Sequence, residues 1–255
     1  TWNIDDVAYA SAAAAGLDGG TINPSAASVG TKQGFSILQY TGNGSAGATF
    51  AHGLTKAPDM VIVKRTDGTE DWGIYAGRPT GVAGAYFKFE SSALNNVTAG
   101  FNSTDTTSTL VTLGNNNLTN GNTMTYVAYA WHSVEGVQKF GVYTANGAVD
   151  GSFISLGFRP ALVWIKAIGS YSPGDWFVHD NKRNPYNPTA GDLQMNEPDA
   201  EGTVGSGYYL DFLSNGFKLR ANGNGENGAA GNTYLYCAWA ESPMHNLYGA
   251  RSNAV

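Results

Sequence analysis

The sequence predicts an all-β protein made of two tandem related β-sandwich units, of jelly-roll or concanavalin-like type, preceded by an extended N-terminal arm. Three observations predict it. The first is a long internal repeat. From Phe35 the chain reads FSILQYTGNGSAGATFAHGLTKAPDMVIVKR, and from Phe140 it reads FGVYTANGAVDGSFISLGFRPALVWIKA, the same order of strand, Asn-Gly turn, strand, proline and apolar strand. Tyr40–Gly44 matches Tyr143–Gly147, Pro58 matches Pro160, Lys64 matches Lys166, Asp71-Trp72 matches Asp175-Trp176, and Tyr126–Trp131 matches Tyr234–Trp239. The unit is on the order of a hundred residues, well above the period of small solenoid repeats. The second observation is a set of short apolar or alternating runs bounded by Gly, Asn and Pro, as strands are. The third is that no stretch long enough for an ordinary helix shows helical periodicity with caps.

Composition narrows the class. The chain has 255 residues, enough for one large β-domain or two ordinary ones, and the repeat favours two. Only 13% of residues are charged while 34 are glycine, so solubility rests on neutral polar side chains. The net charge of −6 and scattered Lys and Arg give no basic stripe, so no nucleic-acid partner is expected. With a single cysteine, Cys237, no internal disulfide can form, and that residue reads as a small buried apolar side chain. No apolar run is long enough to span a bilayer and the Ala-rich start lacks a basic flank, so neither membrane insertion nor a secretory signal is expected.

Taken in order, residues 1–33 are Ala/Gly/Ser-rich with few apolar anchors and read as an arm or linker, within which SAAAAG supports one helical turn ended by Gly16. The first repeat, 34–137, opens with alternating Phe35, Ile37 and Gln39, turns at Thr41–Gly44, and enters an apolar strand at Asp59–Lys64 through Pro58. Strands are expected at Trp72–Tyr75 and Ala85–Phe89, weaker ones at Val97–Phe101 and Ser108–Leu113. Thr125–Ser133 is largely apolar on both faces, Val127, Tyr129 and Trp131 on one and Tyr126, Ala128, Ala130 and His132 on the other. The second repeat, 138–245, places strands at Ala161–Lys166, Trp176–His179, Leu193–Met195, Tyr208–Phe212, Phe217–Leu219 and Thr233–Trp239. A tail, 246–255, has no period. The short link Val134–Gly136 makes the copies abut, which predicts one rigid body. Exposed sheet edges make a covering homo-oligomer a natural expectation.

The sharpest candidate for binding is the repeated Asp-Trp pair. An indole stacks on the apolar face of a sugar ring while a carboxylate or amide beside it takes hydroxyls. Asp71, Trp72 and Tyr75 in the first copy, and Tyr171, Asp175, Trp176, His179 and Asn181 in the second, are therefore the candidate carbohydrate-binding residues; the competing reading puts both tryptophans in the core. No closely spaced acidic pair alternates along one strand, as a jelly-roll glycanase would need, and no G-x-S-x-G elbow occurs. His52, His132, His179 and His245 have no metal-ligand spacing. No catalytic residue, metal site or cofactor is expected.

The motifs GFSILQYTGNG, HGLTKAPDMVIVKR, TYVAYAWHSVEGVQKFGVYTANG, GFRPALVWIK, DFLSNGFKLR and YLYCAWAESP, in that order, resemble the repeated domain of tail fibre and tailspike proteins of tailed bacteriophages, especially marine and cyanobacterial ones. The resemblance runs from about Gly34 to Pro243. It implies a virion protein on a tail fibre or other surface appendage. It further implies a β-rich adhesion domain that is trimeric, contacts a host-surface glycan, and meets other virion proteins through the N-terminal arm. A glycan-cleaving tailspike hydrolase and a purely architectural fibre or capsid ornament are the alternatives.

Overall fold

A computed structural model describes residues 2–4, 7–89, 97–168, 175–189, 191, 193–198, 200, 201 and 207–243. The chain is nearly all β, its sheets packed as sandwiches without barrel closure. It divides into two compact units, Thr1–Lys88 with Leu94–Ser133, and Phe89–Ala93 with Val134–Val255.

In unit 1 the strands are β1 (Trp2–Ile4), β2 (Val7–Tyr9), β3 (Ala26–Gly30), β4 (Phe35–Thr41), β5 (Thr49–Ala51), β6 (Met60–Arg65), β7 (Gly73–Tyr75), β8 (Tyr86–Lys88), β9 (Leu110–Thr112) and β10 (Thr125–Trp131). Two single turns, α1 (Gly77–Thr80) and α2 (Val97–Phe101), interrupt them. The large sheet runs β2-β1-β3-β4-β10-β6-β7-β8, and β5 pairs with β9 as a second, small sheet. A strand's period of two assigns the faces. Leu38 and Tyr40 of β4, Val61 and Val63 of β6, Tyr75 of β7 and Tyr126 of β10 share one core with Phe50 and Val111 of the small sheet. Each such side chain, fully buried, contributes roughly 1.5–3 kcal/mol.

The described part of the expected arm or linker, 1–33, is instead paired into unit 1, for β3 lies along β4 from Ala26 opposite Gln39 to Gly30 opposite Phe35. Ala27 and Val29, alternating inward, join Leu17 and Ile22 in the core of unit 1. Among the described residues these few anchors, falling at the right spacing, tie the segment to unit 1. The turn at Ser11–Gly16 forms as expected. Gly16 N–H bonds to Ala13 O at 3.0 Å and Leu17 N–H to Ala12 O at 2.8 Å, with Gly16 at φ 67°. This paired closure requires the left-handed conformation that glycine adopts without penalty.

Val97–Phe101, expected as a weak strand, is instead the helical turn α2. Its single large anchor, Phe101, must enter the core at one point, where it meets Tyr75 at 5.3 Å and Tyr86 at 6.0 Å. Gly100 permits this, since a Cβ there would stand 2.7 Å from the Tyr86 ring.

Unit 2 contains β11 (Gln138–Thr144), β12 (Phe153–Ser155), β13 (Pro160–Ala167), β14 (Trp176–Asp180), β15 (Leu193–Gln194), β16 (Leu210–Leu213), β17 (Gly216–Leu219) and β18 (Thr233–Ala240), with one turn, α3 (Asn224–Asn227). One sheet runs β11-β18-β13-β14-β15 and the other β12-β17-β16. Val163, Ile165, Phe177, Tyr234 and Tyr236 of the first pack on Ile154, Phe212 and Phe217 of the second. The other face of the five-stranded sheet is also apolar. Trp164 meets Trp239 at 4.7 Å, and Phe89 meets Trp164 at 6.5 Å and Trp176 at 5.6 Å. The predicted tail, 246–255, lies outside the described residues.

The repeat extends to individual hydrogen bonds. In unit 1 the buried Asn120 accepts the Asn43 N–H at 2.8 Å and donates to Asn43 Oδ1, Ser45 O and Gly114 O. In unit 2 Asn227 accepts the Asn146 N–H at 3.2 Å and donates to Asn146 Oδ1, Ala148 O and Ala221 O. Each cinch holds an Asn-Gly turn whose glycine, Gly44 or Gly147, has φ near 70°. Beneath it two tyrosines stack, Tyr40 on Tyr126 at 5.2 Å and Tyr143 on Tyr234 at 5.3 Å. The Tyr40 hydroxyl donates to Thr119 O and that of Tyr143 to Glu226 O, both at 2.6 Å. Burial raises the pKa of Tyr40 and Tyr143 well above the ordinary tyrosine value, so both stay donors.

Candidate functional site

The structure separates the two Asp-Trp pairs. In unit 1, Trp72 is half-buried just before β7, with Lys64 Nζ 5.9 Å from its ring. That lysine also donates to Glu70 O. Asp71 is tied to Lys88 at 2.7 Å with its side chain 42% exposed. In unit 2 the equivalent Trp176 is fully buried, with Lys166 Nζ 5.5 Å from its ring. Asp175 accepts the Asn196 side-chain N–H at 2.8 Å, and Asn196 Oδ1 accepts the Trp176 N–H at 2.9 Å.

Trp176 is thus part of the core and offers no face to a ligand from solvent. Its burial follows from its place opposite Lys166 on the apolar face of β13 and β14. What the repeat preserves at both sites is a lysine over an indole, an attraction between a cation and the ring quadrupole. Burial lowers the Lys166 pKa to about 8, partly offset by Asp175.

The remaining expected residues scatter. Tyr75 is buried, its hydroxyl donating to Asp105 at 2.8 Å and accepting the Arg78 and Thr106 N–H groups, each at 3.2 Å. His179 is fully buried with Nε2 2.5 Å from Glu226 Oε1, and Asn181 is buried beside it in sequence. Tyr171 lies outside the described residues. Only Asp71 and Trp72 of the described candidates therefore retain partial solvent access together. Among the described residues no group of three or more His, Cys, Asp or Glu is placed to hold a metal ion.

An open concave feature lies elsewhere in unit 1, over β3 and β4. A shallow depression of about 330 Å³ is lined by Ala26, Ala27, Ser28, Ile37, Leu38 and Gln39. Strand register produces it. The outward residues of β3 are Ala26, Ser28 and Gly30, all small, and they stand opposite Gln39, Ile37 and Phe35 of β4. One strand further, Val127, Tyr129 and Trp131 of β10 face the same way. Phe35 stacks on Trp131 at 4.8 Å, and Trp131 lies 6.2 Å from Tyr129. Exposure falls across this face, from exposed Ser28 and Gln39 through half-buried Ile37, Tyr129 and Trp131 to fully buried Ile74 and Phe87.

This groove escaped the sequence reading because residues 1–33 read as an arm, which hid β3. The signal was present in the alternation of Ala27 and Val29 with Ala26, Ser28 and Gly30. A family model described as a domain of unknown function (DUF7483) matches residues 2–243. The chain belongs to this family. No curated protein and no solved structure matches.

Proposed function

We propose that this DUF7483 chain is a non-enzymatic structural and receptor-contacting component of a tailed-phage particle, of fibre or tailspike type, and that it holds a neutral host-surface glycan in the β3–β4 groove. The carrying observation is the groove itself. Its apolar wall, Ile37 with the nearby Phe35, Tyr129 and Trp131, suits the C–H face of a sugar ring. The exposed Gln39 amide and Ser28 hydroxyl at its rim supply a donor and acceptors for sugar hydroxyls. None of the lining residues is charged, which favours a neutral glycan over an acidic one. The motif order from Gly34 to Pro243 supports placement in a virion appendage as a trimer.

The test is binding of the purified protein to host cells and to their isolated surface polysaccharide. Ser28→Trp, which fills the groove from its exposed rim, is expected to weaken binding at least tenfold, about 1.4 kcal/mol, with the fold unchanged by circular dichroism. Binding that survives Ser28→Trp but is lost in Trp72→Ala would move the contact to the Asp71-Trp72 edge. No binding by the unaltered protein would remove the receptor role. Release of reducing ends from that polysaccharide would favour the glycan-cleaving alternative. The architectural reading draws on a different feature, the placement of β1, β2 and β3 within the large sheet of unit 1.

A further inference from the structure

The interior of unit 2 contains a polar cluster that its sister unit lacks. His179 lies in β14 and Asn181 just past its end, where the Asn181 N–H bonds to Ala161 O at 3.0 Å and continues the pairing with β13, so burial still alternates and both side chains are buried. His179 Nε2 donates to Glu226 Oε1 at 2.5 Å, with both side chains at most 3% exposed. That bond leaves His179 Nδ1 without a protein partner. The Asn181 side-chain Nδ2 and Oδ1 are likewise buried and unpartnered.

Register identifies the corresponding place in unit 1. His179 stands opposite Val163, and Tyr75 stands opposite the equivalent Val61. The Tyr75 hydroxyl is saturated by Asp105, Arg78 N–H and Thr106 N–H, and the position matching Asn181 is Gly77, which has no side chain to satisfy. Unit 1 therefore closes this region with protein groups alone. Buried polar atoms are paired almost without exception, by protein or by ordered water.

We infer that the interior of unit 2 holds a structural water, bonded to Nδ1 of His179 and to the amide of Asn181. With the ring proton on Nε2, Nδ1 is an acceptor and takes one water hydrogen. The Asn181 amide offers an acceptor for the second hydrogen, or a donor to the water oxygen, which gives the two to four partners a buried water needs. A transition metal is a poorer fit, because such an ion asks for three or four ligands and only one imidazole and one amide are offered. The water fixes the His179 tautomer and thereby the position of Glu226, the residue directly before the Asn227 cinch.

The experiment is nitrogen-15 NMR of the full chain, with long-range imidazole correlations and water cross-relaxation. Expected are an unprotonated Nδ1, a proton on Nε2, and a cross-peak from the His179 ring to long-lived water. In Asn181→Leu that cross-peak is lost while the Tyr143 and Tyr234 ring signals keep their dispersion. A His179 protonated at Nδ1 and bonded directly to Asn181, absence of the water cross-peak in the unaltered protein, or perturbation of Nδ1 by one equivalent of zinc would each overturn the inference. The measurement on the unaltered protein decides the matter even where Asn181→Leu fails to fold.

Discussion

The two units keep one skeleton and fill it differently. Each has a buried Asn that ties an Asn-Gly turn, a stacked tyrosine pair under it, and a lysine against an indole. Yet unit 1 closes its interior with Tyr75 where unit 2 uses His179 and Glu226, and Trp72 keeps solvent access where Trp176 has none. The difference teaches that duplication retains the turn cinches with the aromatic and cation pairs around them, while an interior polar position changes together with its partners.

The largest expected effect falls on the shared part. Asn120→Ala and Asn227→Ala each remove one acceptor and an amide whose two N–H donors are shared among three oxygens of a buried turn, so each should cost about 3–5 kcal/mol in denaturant unfolding. Tolerance of one change and not the other would break the equivalence of the two cinches. Next come the divergent interiors. Glu226→Ala leaves the buried Nε2–H of His179 without its acceptor and should cost about 2–4 kcal/mol, whereas Tyr75→Phe, which removes one hydroxyl, should cost about 1–3 kcal/mol. Equal costs would mean that the two interiors are energetically alike despite their chemistry.

The smaller effects depend on pH and separate the units in opposite ranges. Lys166 has a folded pKa of about 8 against 10.5 for a free lysine, because burial disfavours its charge. Between those values the unfolded chain binds more protons, so stability should rise with pH through that window, by up to roughly 3 kcal/mol. Lys166→Met should abolish the rise. In unit 1, His52 directly follows β5, and the residue that directly follows β12 in unit 2 is Leu156. The His52 Nε2–H donates to Thr107 O at 3.2 Å and its Nδ1 accepts the Leu54 N–H at 3.1 Å, so both nitrogens are committed in the neutral form. Burial lowers its pKa from 6.5 to about 4. Stability should therefore fall as pH drops from 6.5 toward 4, by up to about 3 kcal/mol, and His52→Leu should flatten that slope.

The sequence exposed most of the framework, because the repeat aligned β6 with β13 and β10 with β18, and because alternation in residues such as Tyr126, Ala128 and Ala130 marks a face directly. It concealed β3, whose inward residues, Ala27 and Val29, carry too little apolar surface to register as a strand beside a glycine-rich run. It also concealed α2, since Val97 and Phe101 have β-forming side chains and only the route of Phe101 into the core makes that segment turn. The candidate site was legible least. Asp71-Trp72 and Asp175-Trp176 are indistinguishable as letters, and only the packing of Lys166 and Phe89 around Trp176 closes one of them. The β3–β4 groove depends on small residues opposite larger ones, a relation that exists only once register is fixed.

Phe89 follows β8 directly, in the middle of the first copy, yet its ring belongs with the tryptophans of unit 2. The genetic seam of the duplication and the physical seam of the protein are therefore not the same line. A chimera joined between residues 133 and 134 would inherit the aromatic ring from one parent and the indoles it covers from the other. Exchange of whole second halves between relatives should succeed only where residue 89 and those indoles are compatible, so this one side chain restricts which recombinants survive.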